Sequence, residues 1–188
     1  MGKDKDLIYQ ELLVLHCQRG DRDALQELVV TWERRLFYFL RRLGGEEQDA
    51  WDLLQQTWLK VLRGISALRD ARQLAPWLYC IARNTAINHG QMRSKHRERL
   101  EELPPATDSE EDPGPRNYDD VEQIHHGLLQ LALPHREVLT LHFLESMAIE
   151  QIAQVLDVPP GTVKSRLFHA KRALRNILTK EDQRDNEA

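Results

Sequence analysis

Between Lys164 and Arg175 the chain carries Lys164, Arg166, Lys171, Arg172 and Arg175 without a single acidic residue, and with Ser165 and His169 interleaved. Guanidinium and ammonium groups at that density pair with phosphate oxygens, while serine and histidine offer hydrogen bonds to base edges. At about 100° per residue, Ser165, His169 and Arg172 lie opposite an apolar stripe of Val163, Leu167, Ala170, Leu174 and Ile177. Lys164, Lys171 and Arg175 flank them, and Thr162 and Arg166 complete the candidate contacts to duplex DNA. Upstream, Ile149, Ile152, Ala153 and Leu156 repeat at i, i+3, i+4, i+7, the apolar face of a short helix. Ala153 is small where a crossing helix must come close, and Asp157-Val158-Pro159-Pro160 breaks the helix. Asp157 is expected in the left-handed conformation, which Asp tolerates better than most residues. A short helix, a tight turn and a cationic helix make a helix-turn-helix, the arrangement that enters a major groove. The plain alternative, a solvated basic face on a core helix, leaves the turn and the charge asymmetry unexplained. Phe168 falls on the solvent side of the cationic helix, against DNA or against a neighbour.

Elements that position such a helix must come from the rest of the 188 residues, a length that suits two small domains. The net charge of −4 is unevenly distributed. Residues 98–120 hold nine acids against Arg99 and Arg116, a net of −7, which leaves +3 for the remainder. With Pro104, Pro105, Pro113, Gly114 and Pro115 and no apolar period, that segment reads as an extended linker. The expected division is therefore an N-terminal domain over 1–97, a linker over 98–120, the helix-turn-helix domain over 121–180 and a polar tail over 181–188. The acidic linker beside a cationic helix carries the further expectation that it shields that helix in the free chain.

The N-terminal part is expected to be all-helical. Asp23 and Gln26 fit a capping box, followed by a stripe of Leu25, Leu28, Val29, Trp32, Leu36, Phe39, Leu40 and Leu43 that Gly44-Gly45 stops. A second helix from about Glu47 to Arg63 turns Ala50, Leu53, Leu54, Trp58, Val61 and Leu62 inward. It leaves Asp52, Gln55, Gln56 and Lys60 as a polar row, fit either for docking a protein or for simple solvation. After a loop over 64–75, Pro76 is expected at N1 of a third helix, with Leu78, Ile81, Ala82 and Thr85 on its core side. Trp77 and Tyr79 beside Arg83, Asn84, Arg93 and Lys95 suit single-stranded DNA, where bases stack on rings and cations follow phosphates. Both aromatics fit the core as well.

Two segments together carry a resemblance. DAWDLLQQTWLKVLRGI (Asp49–Ile65) with APWLYCIARNTAINH (Ala75–His89) resembles the N-terminal conserved domain of bacterial sigma factors. LPHREVLTLHFLESMAIEQIAQVLDVPPGTVKSRLFHAKRALR (Leu133–Arg175) resembles their C-terminal DNA-binding domain. Two such domains and little else resemble the extracytoplasmic-function (ECF) group. The resemblance implies an all-α protein that binds core RNA polymerase, directs it to promoters and helps melt them. It puts Asp52, Leu53, Gln55, Thr57 and Trp58, with Gln56 and Lys60, on the face toward the polymerase β′ clamp. It gives the 64–75 loop and the helix bearing Trp77, Tyr79, Arg83, Asn84, Arg93 and Lys95 to the melted −10 element, the loop holding a flipped base. It gives Pro160–Lys171 to the −35 duplex, and the linker to the polymerase channel. It also implies an anti-sigma factor as inhibitory partner. Gln56 departs from a common acid and Trp51 from a polar residue, whereas Ser146-Met147-Ala148 and Asp157 stand where glycine is frequent.

Other classes fit less of the chain. A free-standing helix-turn-helix regulator leaves residues 1–97 without a role, and a sigma-like adaptor without promoter activity is separable only by transcription assays. No nucleophile elbow or phosphate loop is present, so neither an enzyme nor a small-molecule substrate is expected. No cofactor is expected either. A metal site from His16, Cys17 and Cys80 lacks any CxxC or HxxxH spacing, and the two cysteines read as reduced buried thiols. With no apolar run near ~18 residues and no signal-peptide pattern, a soluble cytoplasmic chain without membrane insertion is expected.

Overall fold

The computed structural model describes the backbone of residues 2–44, 47–100 and 120–185, and the side chains of 8–43, 47–90, 124 and 126–179. Among these residues the regular structure is entirely helical: α1 (Gly2–Gln18), α2 (Arg22–Gly44), α3 (Glu47–Gly64), α4 (Leu74–Leu100), α5 (Asp120–Leu129), α6 (Leu133–Leu139), α7 (Ile149–Leu156) and α8 (Pro160–Asp185). Short 3-10 turns, Ile65–Ala67 and Ala71–Gln73, bridge α3 to α4, and a π-helical turn, Thr140–Leu144, extends α6. Most of the acidic linker, and with it the expected shielding of α8, lies outside the described residues. The helix α8 continues through Asp185, so the expected polar tail begins as helix.

In α2 the stripe is as read: Leu28, Trp32, Leu36, Phe39 and Leu40 are buried, with Leu25, Val29 and Leu43 packed against them. The cap differs from expectation. Asp21, not Asp23, accepts from the backbone N–H groups of Asp23 (3.0 Å) and Ala24 (3.3 Å). Those two bonds hold the Asp21 carboxyl below the usual aspartate range, the Ala24 bond contributing most. Asp23 sits inside the first turn, where its charge still complements the helix dipole. In α3, Ala50, Leu53, Leu54, Thr57, Trp58 and Val61 face inward. Leu62 does not: it is exposed beside Leu59, on the side of α3 that its packing partners α2 and α4 leave uncovered.

The helix α4 begins at Leu74, two residues before the expected start. Pro76 is tolerated there because the first four helical N–H groups have no intrahelical partner in any case. Leu78, Ala82 and Thr85 are buried and Ile81 packs on the core, along the expected face. The Gln18 side chain pins the α3–α4 connection from α1, donating to the carbonyls of Ile65 (3.1 Å) and Leu68 (2.7 Å).

The two halves share one core. Helix α4 packs on α7, and α2 packs on α5 and α6. Buried residues run without a break from Leu13 in α1 to Ala170 in α8.

Candidate nucleic-acid interface

The recognition element is built as its sequence requires. Helix α7 ends at Asp157, which adopts φ 53 and ψ 52, the left-handed turn expected of it. The Val158 N–H then donates to the Ala153 carbonyl (3.1 Å), closing the end of α7 in a Schellman arrangement. Ser146, in the turn before α7 where the resembled family more usually has a glycine-containing turn, likewise has positive φ (54). Gln151 accepts from the Ala148 N–H (3.1 Å), tying down the start of α7.

On α8, Val163, Leu167 and Ala170 are buried, and Leu174 and Ile177 are packed on the core. Lys164, Ser165, His169, Lys171, Arg172 and Arg175 are exposed, while Thr162 and Arg166 are half-buried. None of the α8 cations through Arg175 makes an ion pair among the described residues. Phe168 is 63 % exposed and stacks edge-on with His169. Lys171 and Arg175 stand slightly apart from the rest. Lys171 lies over the Phe143 ring (5.9 Å), and both line a groove with Ile124, Phe143 and Leu178.

The second surface, on α4, is arranged differently. The Arg83 Nε donates to Glu137 Oε1 of α6 at 2.6 Å, and Glu137 is buried. Tyr79, fully buried, donates its hydroxyl to Glu145 and packs edge-on against Phe39 and Trp32. Burial, and then the neighbouring Glu145 carboxylate, push the Tyr79 phenol well above its ordinary value. Glu145 also accepts from Arg35 Nε (3.1 Å), and the Arg35 guanidinium covers the Trp32 ring at 4.6 Å. Of the two open roles for Tyr79, core is the one it fills in this conformation. Trp77 is half-buried with its ring against Gly64, where a Cβ would approach it to 3.2 Å, so it wedges the loop instead of standing free. Asn84 is exposed and donates weakly to Cys80 Sγ (3.6 Å). The side chains of Arg93 and Lys95 lie outside the described residues.

The polar row of α3 divides. Asp52, Gln55, Gln56 and Lys60 are exposed as expected, and Lys60 Nζ reaches Thr85 Oγ1 (2.8 Å) on α4. Leu53, Thr57 and Trp58, which the resemblance puts on the same face, are buried: they pack α3 onto the core, and the Thr57 hydroxyl donates to the Leu53 carbonyl (2.7 Å). The exposed apolar part of α3 is instead Leu59 and Leu62, with Trp51 stacked on Phe37 (4.3 Å).

Sequence reasoning missed the residues that join the halves: Arg35, Arg136, Glu137 and Glu145. The Arg136 guanidinium donates to the carbonyls of Arg42 (3.1 Å) and Leu43 (3.3 Å) at the end of α2, and to Leu129 and Leu131 (both 2.9 Å). Burial pulls the Arg136 and Arg42 guanidinium values down from normal. The only local signal was a glutamate and an arginine set among the apolar residues of LPHREVL, and their partners lie far away in sequence.

Helix-turn-helix and exposed cationic helix, attached to a second helical domain with its own arginine-bearing face, define a two-domain DNA-binding protein. The comparisons make that class specific. The pattern of Sigma-70 region 2 matches residues 28–98, and that of Sigma-70, region 4, matches residues 122–174. The RNA polymerase sigma-H factor of Pseudomonas aeruginosa is 32 % identical, over 88 % of this chain and 92 % of that one. The ECF RNA polymerase sigma-E factor of Escherichia coli is 29 % identical with the same coverage. In fold the chain is similar to Bartonella quintana RpoE, solved with the anti-sigma factor NepR (TM-score 0.67, 24 % identity, 82 % of this chain and 96 % of that one). It is similar also to CnrH, solved with the cytosolic domain of CnrY (TM-score 0.66, 21 % identity, 90 % and 96 %). The chain belongs to the ECF sigma factors, the initiation subunits of bacterial RNA polymerase. A free-standing helix-turn-helix regulator is not favoured. Among the described residues no helix is long and apolar enough to cross a membrane.

Proposed function

We propose the following division of labour within this sigma factor. Helix α8 reads the −35 duplex: Ser165, Arg166 and His169 reach base edges, with Thr162 at the entry. Lys164, Lys171, Arg172 and Arg175 hold phosphates. The 64–75 loop and α4 hold the melted −10 strand through Arg83 and Asn84, with Arg93 and Lys95 continuing the strip and Trp77 bracing the loop. The exposed face of α3, Asp52, Gln55, Gln56 and Lys60 together with Leu59 and Leu62, meets the β′ clamp. The corresponding units are residues 1–97 and 121–180, joined by the 98–120 linker in the polymerase channel.

The carrying observation is the exposed, acid-free cationic face of α8 set at the left-handed turn of Asp157. The protein works in the cytoplasm, without catalytic chemistry of its own, and an anti-sigma factor restrains it; in support, the RpoE of like fold was solved in complex with the anti-sigma factor NepR. The test is in vitro transcription with purified core polymerase on a pooled promoter library, sequencing the products. Starts that share upstream −35 and −10 motifs are expected. Polymerase binding without transcripts would leave an adaptor, and absence of polymerase binding would defeat the reading.

A further inference from the structure

The connection between α3 and α4 takes its shape from α1. Leu13, Val14 and Cys17 bury α1 in the core, and its last residue, Gln18, is half-buried against the connection. Gln18 Nε2 donates to the Ile65 carbonyl (3.1 Å) and to the Leu68 carbonyl (2.7 Å). The Leu68 N–H itself donates to the Ile65 carbonyl (3.2 Å), so one side-chain amide spans both ends of that 3-10 turn. In the next turn the Asp70 carboxylate accepts from the Arg72 N–H (2.9 Å), and Arg72 Nε donates to Glu11 Oε1 of α1 (3.2 Å). Leu68 and Ala71 pack on the core, and the Trp77 ring lies against Gly64 at the entry. Ser66, Ala67, Arg69 and Asp70 are left exposed.

From these ties we infer that Gln18 is a positioning residue for base selection at the −10 element. Helix α1 has no DNA contact in the division of labour above, yet it fixes the backbone whose exposed side meets the melted strand. This rests on the reading of the 64–75 loop as part of the −10 surface. A loop that orders only on contact with its ligand loses part of its binding free energy to that ordering. Such a loop also adapts to a wrong base. A backbone fixed beforehand leaves the wrong base with clashes or unpaired polar groups, and discrimination rises.

Of the two ties from α1, the one through Gln18 is the stronger. The Glu11–Arg72 pair is solvent-accessible on both sides, where an ion pair contributes little. Losing the Gln18 amide instead leaves two part-buried carbonyls without their donor, which costs the desolvation of both. Gln18→Glu keeps the size and shape of the side chain but turns a carboxylate toward two carbonyl oxygens. The loop must then move, while the buried residues of α1 keep their places.

The test is transcription by the full chain with core polymerase from two template pools, one randomised in the −10 element and one in the −35 element. Wild type is compared with Gln18→Glu, with Gln18→Lys, which restores a donor, and with the loop-surface variant Ser66→Ala/Arg69→Ala. Gln18→Glu is expected to flatten the −10 base preference about fivefold or more at one position, with −35 preference held within about twofold. Gln18→Lys should recover most of the preference. Output lowered alike for every template, equal flattening in both pools, or a Gln18→Lys variant as flat as Gln18→Glu would each overturn the inference. If the loop-surface variant shifts −10 preference and Gln18→Glu does not, the inference alone fails. If neither shifts it, the −10 reading of the loop fails with it. Should Gln18→Glu not fold, hydrogen exchange in the free wild type takes its place. The amides of Leu68, Arg72 and Gln73 should exchange about tenfold or more slowly than in a peptide of the same sequence. Exchange at the peptide's rate would overturn the inference.

Discussion

The two surfaces proposed to meet DNA both carry arginines, yet the fold treats them in opposite ways. On α8 Lys164, Lys171, Arg172 and Arg175 project into solvent, and no cation through Arg175 makes an ion pair among the described residues. On α4 the matching arginine, Arg83, is four-fifths buried against a glutamate supplied by the other half of the molecule. Like side chains are left open or paired according to what the fold packs against them: α8 turns its cations from the core, whereas α4 carries Arg83 into the contact with Glu137.

The largest effect that bears on this contrast comes from the joint itself. Replacing Arg136 with Met strips four carbonyls of a charged donor at once and should cost about 3 kcal/mol of stability, given that each bond to a charged group is worth roughly 1.5–3 kcal/mol and such bonds are not additive. Urea unfolding measures it. A loss below about 1 kcal/mol would mean that Arg136 rides on the joint without making it.

Next in size is the open surface. Arg166→Ala should weaken −35 duplex binding by about 1–3 kcal/mol and relax preference at one base position, as expected for loss of a base-edge contact. Arg83→Ala should leave duplex affinity of the free chain unchanged. Titration of both variants against duplexes substituted at each −35 position decides it. An Arg166→Ala loss uniform across all sequences would reassign that residue to phosphate.

The closed surface should also respond to pH through Tyr79. Its phenol is raised in the folded chain by burial and by Glu145, so the neutral form is the one the fold favours. The associated stability is fully present below the ordinary phenol value of about 10 and is lost as pH rises above it. Tyr79→Phe removes one donor from buried Glu145 and should cost about 1–2 kcal/mol at neutral pH. Above pH ~10 the wild type should lose stability faster than the variant, by up to about 1.4 kcal/mol per pH unit. Parallel curves from urea melts at pH 8, 10 and 11 would separate Tyr79 from the joint.

The open surface was legible in the sequence and the closed one was not, for a physical reason. Periodicity reports which face of a helix is apolar, and it gave the stripes of α2, α4 and α8, the turn at Asp157 and the exposed cations. It does not report which helix covers that face. Arg83 and Glu137 are 54 residues apart, and Tyr79 and Glu145 are 66 apart, on opposite sides of the acidic linker. Tyr79 therefore reads equally well as a stacking platform or as core, and Leu62 reads as core because nothing local says which side of α3 its partners α2 and α4 leave open. The resemblance puts Leu53, Thr57 and Trp58 on a docking face, while Leu53 and Trp58 also belong to the inward stripe of α3; in the fold all three are buried.

The smallest expected effect concerns the turn that sets α8 against the rest. A left-handed conformation costs a residue with a Cβ roughly 1–2 kcal/mol, less for Asp, and glycine escapes that cost but loses more entropy on folding. Asp157 pays part of the first cost at φ 53. Asp157→Gly should therefore stabilise the chain by about 0.5 kcal/mol. It also removes a negative charge from the turn leading into the cationic helix, so duplex affinity should rise slightly for every sequence. Asp157→Asn keeps tolerance for the left-handed turn and removes the same charge. If the two variants bind duplex equally while only the glycine variant melts higher, strain and charge at this turn act separately. If both bind as the wild type does, the turn charge lies outside the field of the DNA, and the open surface begins at α8 itself.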